Sequence, residues 1–193
     1  FPEAPLYTLF YRRDFVKTFF PKATIYASSL QHIPLPHRFL LPLMPTTIET
    51  FNLDEYDVII TSGTFAKGII TKPQTLHICY CHSPMRYAWD SCHQYFEQYG
   101  IPSLLKTTAR KFLHEIRMWD RLAAERVDFF IANSTHVKNR IKKYYRKDSD
   151  VIYPPIETQK FNISSKEGTY FLAVGRLTSY KRFDLLVEVF NDL

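Results

Sequence analysis

Short apolar runs alternate with amphipathic stretches along almost the whole chain, and this rhythm limits the fold more than any single residue does. LYTLFY (6–11), YDVIITS (56–62), LHICYC (76–81), VDFFIANS (127–134), DVIYPP (150–155) and TYFLAVG (169–175) read as strands. Several of them are apolar on both faces, which fits strands of a parallel sheet covered by helices on each side. Helical spacing is clearest in TTARKFLHEIRMWDRLAAERV (107–127), where Phe112, Ile116, Trp119 and Ala123 recur at steps of four, three and four. THVKNRIKKYY (135–145) and KRFDLLVEVFNDL (181–193) are two more predicted helices. The second of these should bury Phe183, Leu186, Val187 and Phe190 as one stripe. Strands separated by helices of this length predict βαβ units, hence an α/β chain built on a parallel sheet.

The stretch YPPIETQKFNISSKEG (153–168) interrupts the rhythm. Two prolines stop a strand and a polar run follows, which predicts a linker over 156–168 between a domain at 1–155 and the start of a second at 169–193. With 193 residues, 46% hydrophobic, including 16 Phe and 13 Tyr, the chain can build a large core and is no disordered tail. Its three cysteines argue against a disulfide scaffold and for a reducing, cytoplasmic setting. No stretch approaches the roughly 18 apolar residues of a membrane span, and no leader segment opens the chain. A net charge of +6 favours an anionic partner: nucleotide, phosphate, nucleic acid or acidic lipid. The chain starts at Phe1 and stops inside a predicted helix, so both ends are expected to be cut.

Ligands of open α/β sheets bind beyond the carboxyl ends of the strands, so the residues that follow each strand matter most. HICYCHSPMRYAWD (77–90) follows the third predicted strand into a turn. Ser83 can cap a helix there with Pro84 at its first position, placing His82 at the strand tip beside a helix start. The plain alternative is a histidine that bonds backbone. A metal set of Cys79, Cys81, His82 and Cys92 or His93 fails on spacing, because C-x-C is not the zinc pair and His82 points away from the cysteines. Nor is there a C-x-x-C redox pair. Ser62 and Gly63 of the second strand's turn, Arg86, and Asn133 with Ser134 could line the same cleft.

After the last predicted strand come Gly175 and Arg176, then LTSYKRFD. Thr178 or Ser179 can cap the following helix, which puts Lys181 and Arg182 in its first turn. The helix dipole disfavours cations there by about 0.3–1 kcal/mol each, so an anion docked between them would explain the pattern. Gly175 would let the backbone approach that ligand. Solvated charge balanced by Asp184 is the plainer account. No G-x-x-x-x-G-K-[ST] and no G-x-G-x-x-G occurs. The basic run RIKKYYRK (140–147) reads as a solvated helix face, a nucleic-acid patch or a surface for an anionic membrane. FLLPLMP (39–45) reads as core, with a greasy acceptor loop as the sharper alternative. Asn133-Ser134-Thr135 and Asn162-Ile163-Ser164 match the glycosylation pattern and count as chance in a cytoplasmic protein.

Three stretches together resemble the retaining glycosyltransferases of family 4, in their mannosyltransferase-like branch: HICYCHSPMRYAWD, FFIANSTHVKNRIKKYYRKDSDVIYPPIE and FLAVGRLTSYKRFDLLVEVFN. The resemblance runs along most of the chain. It implies a GT-B fold, two Rossmann-like domains facing across a cleft, the first for the acceptor and the second for a nucleotide-diphosphate sugar. By the resemblance His82 would be catalytic and organise the transferred sugar, while Arg176 and Lys181 would hold the donor diphosphate. It also implies retention, no metal and no further cofactor. The donor would be a nucleotide sugar such as GDP-mannose. The acceptor would be a glycan or polyprenyl-linked glycan, at the cytoplasmic face of a membrane and without nucleic acid. The family's glycine-rich first loop would precede Phe1, and its E-x₇-E motif would follow Leu193, so this polypeptide is expected to be inactive alone. A non-catalytic acceptor-side or scaffolding subunit is the competing class, and a basic nucleic-acid-binding α/β protein is a third.

Overall fold

A computed structural model of the chain describes residues 3–90, 92, 103–163, 168–178 and 181–192. Its contacts divide the chain into Phe1–Pro154 and Pro155–Leu193.

The first unit is a parallel α/β structure of Rossmann-like character. β1 (Leu6–Thr8) pairs in parallel with β2 (Ile25–Ala27) across α1 (Arg13–Phe19). β3 (Val58–Ser62), β4 (Leu76–Cys81), β5 (Phe129–Ala132) and β6 (Ser149–Val151) form a second sheet in that order, every pair parallel. Short helices α2 (His37–Leu40) and α3 (Met44–Ile48) lie between the sheets in sequence. The long α4 (Ser103–Glu125) leads into β5, and α5 (Thr135–Tyr145) connects β5 to β6.

Residue identity explains these elements. α4 has no glycine or proline inside it and buries Leu113, Ile116, Asp120, Ala123 and Ala124, one stripe at helical spacing. Ser134 caps α5, its hydroxyl accepting from the Val137 N–H at 3.3 Å. Strand alternation puts His77, Cys79 and Cys81 of β4 on the inner face, where the two cysteines pack with Phe130, Ala132, Val137, Ile141 and Tyr145. Burial pushes the Cys79 thiol up and the Cys81 thiol to about 12, so both are inert core groups. FLLPLMP is core as expected at Leu40 and Met44, which join Leu30, while Phe39 and Leu43 stay exposed.

Some expectations need correction. The second sheet is covered on one face only among the described residues. Val58, Ile60 and Phe129, on the opposite face, are 54%, 62% and 60% exposed. α4 and α5 both pack on the cysteine side, so apolar composition on two faces did not mean two covered faces. β2 is absent from the predicted strands, because three residues are too few for alternation to register. The first predicted strand also ends early, at Thr8, since Leu9 and Phe10 turn into the Leu30 cluster.

In the second unit, α6 (Phe183–Asn191) forms, but residues 168–178 carry no strand. A strand needs a neighbour for its backbone groups, and none is described in this unit. Phe171, Leu172 and Val174 are left 86%, 76% and 86% exposed. The predicted α6 stripe is not buried either: Leu186 and Phe190 remain exposed, and the nearest aromatic contact is Phe171 on Phe190, 5.1 Å between centroids. One helix cannot bury its own apolar face. Part of the predicted linker forms a short turn at Thr158–Lys160; residues 164–167, with Ser164 of the second glycosylation pattern, lie outside the described residues.

Candidate functional site

β3 and β4 run side by side and end at the same edge, Ser62 paired with Tyr80. The residue after β4 is His82, exposed at that edge, and its Nε2 lies 2.9 Å from the Ser62 hydroxyl. The Tyr80 ring meets the imidazole edge-on at 5.4 Å. Gly63 follows Ser62 with a φ of 118°. A Cβ there would meet nothing within 4 Å, so the backbone angle, not the space, asks for glycine.

The helix predicted at Ser83–Pro84 does not form. Residues 86–90 make a turn, with the Ala88 and Trp89 N–H groups donating to the Met85 carbonyl at 3.1 Å. The Ser83 hydroxyl donates to the Pro84 carbonyl at 2.9 Å. Met85 and Ala88 are buried against Ile116, and this packing takes the chain inward. The helix start that shares a pocket with His82 is instead that of α5, from across the β5 tip. His82, Ser83, Arg86, Asp90, His136 and Arg140, with Val137, line that pocket of about 290 Å³. Arg140 reaches it from the second turn of α5 and donates to both Asp90 oxygens and to the Pro84 carbonyl at 3.2 Å. Its Nε is buried without a hydrogen-bond partner. Burial lowers the Arg140 pKa, and nearby Arg86 lowers it further. Asn133 and Ser134 sit at the β5 tip, bonded to each other at 3.1 Å.

A buried polar cluster holds these loops from below. Asp120 of α4 is fully buried and pairs with Lys67, itself 2% exposed. The second Asp120 oxygen accepts from Trp89 Nε1 at 2.7 Å and from the Tyr145 hydroxyl at 2.8 Å. Lys67 also donates to the Thr64 carbonyl at 2.8 Å. One carboxylate thereby ties the turn after β3, the turn after β4 and α5 to the long helix. Arg117 adds a bond to the Ala88 carbonyl at 2.6 Å, and Arg126 one to the Gly68 carbonyl at 2.7 Å.

Thus the structure gathers Ser62, Gly63, His82, Ser83, Arg86, Asn133 and Ser134 at one edge of the first unit. The sequence reading missed Asp90, His136, Arg140, Lys67 and Asp120. His136 and Arg140 are four apart on a helix whose other face is apolar, a spacing that would have revealed them. The basic run 140–147 is split, with Arg140, Ile141 and Tyr145 inside and Lys142 and Lys143 outside, so it is not one solvated face.

Gly175, Arg176 and Lys181 belong to the second unit. Gly175 faces Phe183, where an added Cβ would come within 3.1 Å of the ring, so packing accounts for this glycine. Arg176 is exposed, and its carbonyl accepts from Thr178 N–H at 2.8 Å. Lys181 and Arg182 precede α6 rather than occupy its first turn. Arg182 is the N-cap residue with φ of 52°, and its Nε donates to both Asp184 oxygens at 3.1 Å. That bond holds the Asp184 carboxyl below the usual carboxylate range, so Arg182 already has an anion of the protein's own. Ser179, the alternative cap, lies outside the described residues, as does His93.

The family model of Glycosyltransferase Family 4 matches residues 8–160. No curated protein and no solved structure gives a significant match. No helix among the described residues is long and apolar enough to cross a membrane.

Proposed function

The chain belongs to glycosyltransferase family 4, and from that premise we propose that it works in the transfer of a hexose, mannose in the first instance, from a nucleotide-diphosphate sugar such as GDP-mannose. The acceptor is a glycan or a polyprenyl-linked glycan at the cytoplasmic face of a membrane. No metal or further cofactor takes part, and configuration is retained.

The observation that carries this reading is the Ser62–His82 bond at the carboxyl edge of a parallel sheet, beside a cation-lined pocket. Ser62 holds Nε2 and fixes the ring, leaving Nδ1 for a hydroxyl of the transferred sugar. In the transfer, the bond from the anomeric carbon to the diphosphate oxygen breaks with its electron pair. The acceptor oxygen bonds to that carbon from the same side, and its proton passes to the departing diphosphate. Arg176 and Lys181 are assigned to the diphosphate, where fixed cations stabilise the charge that develops.

Within the described residues the second unit offers one α-helix, one short 3-10 turn and no strand. We take residues 1–193 alone to be inactive; the second reading is an acceptor-side scaffold completed by a partner donor domain. The test is a donor screen on the full-length protein. His82→Ala and Arg176→Ala should each lower turnover by about tenfold or more, the loss expected when a transition-state contact is removed. Wild-type rates in both variants would show the roles to be misassigned. Turnover by residues 1–193 alone would overturn the inactivity.

A further inference from the structure

We infer that Lys67 and Asp120, the buried ion pair beneath the site, are positioning residues for His82. They hold the two turns that follow Ser62 and His82, and through those turns they fix which ring nitrogen faces the substrate. The kinetic consequence rests on the transferase reading above; the geometric one does not.

The Ser62–His82 bond cannot hold itself. Both side chains are exposed, and the contact at 2.9 Å joins a hydroxyl to a ring nitrogen within reach of water. A neutral surface hydrogen bond exchanges with water for little net gain. Its persistence therefore depends on how the two backbones are held. Ser62 is the last residue of β3 to pair with β4, opposite Tyr80, and the ladder of β4 ends at Cys81, opposite Ala132. His82 lies just past that ladder. A contact stretched by about 0.7 Å from 2.9 Å is no longer a hydrogen bond, so little slack is allowed.

Beyond the ladder are two turns, and both are tied to one carboxylate. On the β3 side, Gly63 has positive φ and open space where a Cβ would be, so packing does not fix its turn. The bond from Lys67 Nζ to the Thr64 carbonyl at 2.8 Å does, and Asp120 holds Lys67 in turn. On the β4 side, the Trp89 indole donates to the second Asp120 oxygen at 2.7 Å. Arg117, about one turn before Asp120 on α4, donates to the Ala88 carbonyl at 2.6 Å. Both turns are thus referenced to the same rigid helix.

Direction, rather than cohesion, is what this pair supplies. Apolar side chains of similar volume often stabilise a core as well as a buried ion pair does. They cannot donate to the Thr64 carbonyl or accept from Trp89. The rings of Trp119 and Tyr145, 5.5 and 5.4 Å from Lys67 Nζ, fix the ammonium further. With Ser62 on Nε2 the ring is held in one tautomer; released from Ser62, it samples both.

Two near-isosteric variants separate positioning from stability. Trp89→Phe and Tyr145→Phe each keep a ring and each remove one donor from the same Asp120 oxygen, so they should cost stability alike. Trp89 lies on the turn after β4, whereas Tyr145 lies in α5. Imidazole nitrogen NMR of His82 at about pH 8.5, where imidazoles are neutral, reads the tautomer. One tautomer should dominate in wild type and in Tyr145→Phe, and both should be populated in Trp89→Phe. Lys67→Met/Asp120→Asn, which strips the Thr64 carbonyl of its donor, should give the same mixture; if that variant does not fold, Trp89→Phe decides. In the full-length protein, Trp89→Phe should lower kcat about fivefold or more with donor KM within about twofold, and Tyr145→Phe should leave kcat within about twofold. In a His82→Ala background, Trp89→Phe should lower the rate by less than about twofold, because the ring it positions is gone. A single tautomer in Trp89→Phe, equal kcat losses in the two ring variants, or an undiminished loss in the His82→Ala background would each overturn the inference and leave strand register alone to align the bond. Wild-type turnover in His82→Ala would sink the role of His82 in transfer, while the NMR comparison still decides the positioning.

Discussion

Replacing Asp120 with asparagine should cost the first unit about 3 kcal/mol, the low end of the loss seen when one member of a buried ion pair is removed. Both partners are out of solvent, Asp120 at 0% and Lys67 at 2% exposure. Asparagine keeps the shape and one oxygen for Trp89 and Tyr145, but it turns an amide donor toward the Lys67 ammonium. Lys67 would keep its bond to the Thr64 carbonyl and the faces of Trp119 and Tyr145, at 5.5 and 5.4 Å, which is why the low end applies. Lys67→Met alone should cost a similar amount by stranding the carboxylate. The double variant Lys67→Met/Asp120→Asn removes both charges and should cost less than the sum of the two, with a coupling of at least about 2 kcal/mol. Urea unfolding read by tryptophan emission measures this directly. The chain has two tryptophans; Trp89 donates to Asp120 and Trp119 is its neighbour in sequence. A single-variant loss under about 1 kcal/mol, or losses that add in the double, would refute the claim that this pair clamps the loops.

His77 is fully buried and burial lowers its pKa from 6.5 to about 4, with the Arg126 backbone and Asp128 pulling the other way. The fold therefore keeps the ring neutral: its stabilising share is intact above about pH 6.5 and is lost as pH falls to about 4, about 3 kcal/mol in all. Urea midpoints of wild type and His77→Gln should converge over that range; parallel curves would refute it. Gly68→Ala should destabilise by about 1–3 kcal/mol through overpacking. A Cβ there would lie 2.7 Å from Trp119 Cη2, and the ring cannot swing away without breaking its 3.0 Å bond to Glu49. An unchanged thermal midpoint would show that the ring yields.

The parts legible in the sequence are those where local and tertiary preferences agree. β4 spans the predicted LHICYC, and α5 spans the predicted 135–145, because alternation and Ser134 capping mark them without help from distant residues. Ser62 and His82 were also placed together at the sheet edge, since parallel strands of known direction put their tips side by side. Ser83 failed because burial of Met85 and Ala88 outweighed a good capping sequence. TYFLAVG failed because β-propensity becomes a strand only beside a partner. Asp120 and Lys67 are 53 residues apart, and nothing in either neighbourhood announces that they meet.

A parallel sheet sends every strand out by the same edge, and β6 is no exception. The chain therefore leaves the first unit from the rim that carries Ser62, His82 and Asn133. The last residues before Pro154 are fastened to that rim: Tyr80 donates to the Ile152 carbonyl at 3.0 Å, and the Thr135 and Tyr153 hydroxyls meet at 3.3 Å. Two prolines with restricted φ come next. The exit is thus a stiff tether moored to the site itself. Tension on it would load Tyr80, whose ring meets His82 edge-on, and the opening residue of α5, together with the sheet itself through the Ile152 N–H bond to the Ala132 carbonyl at 3.0 Å.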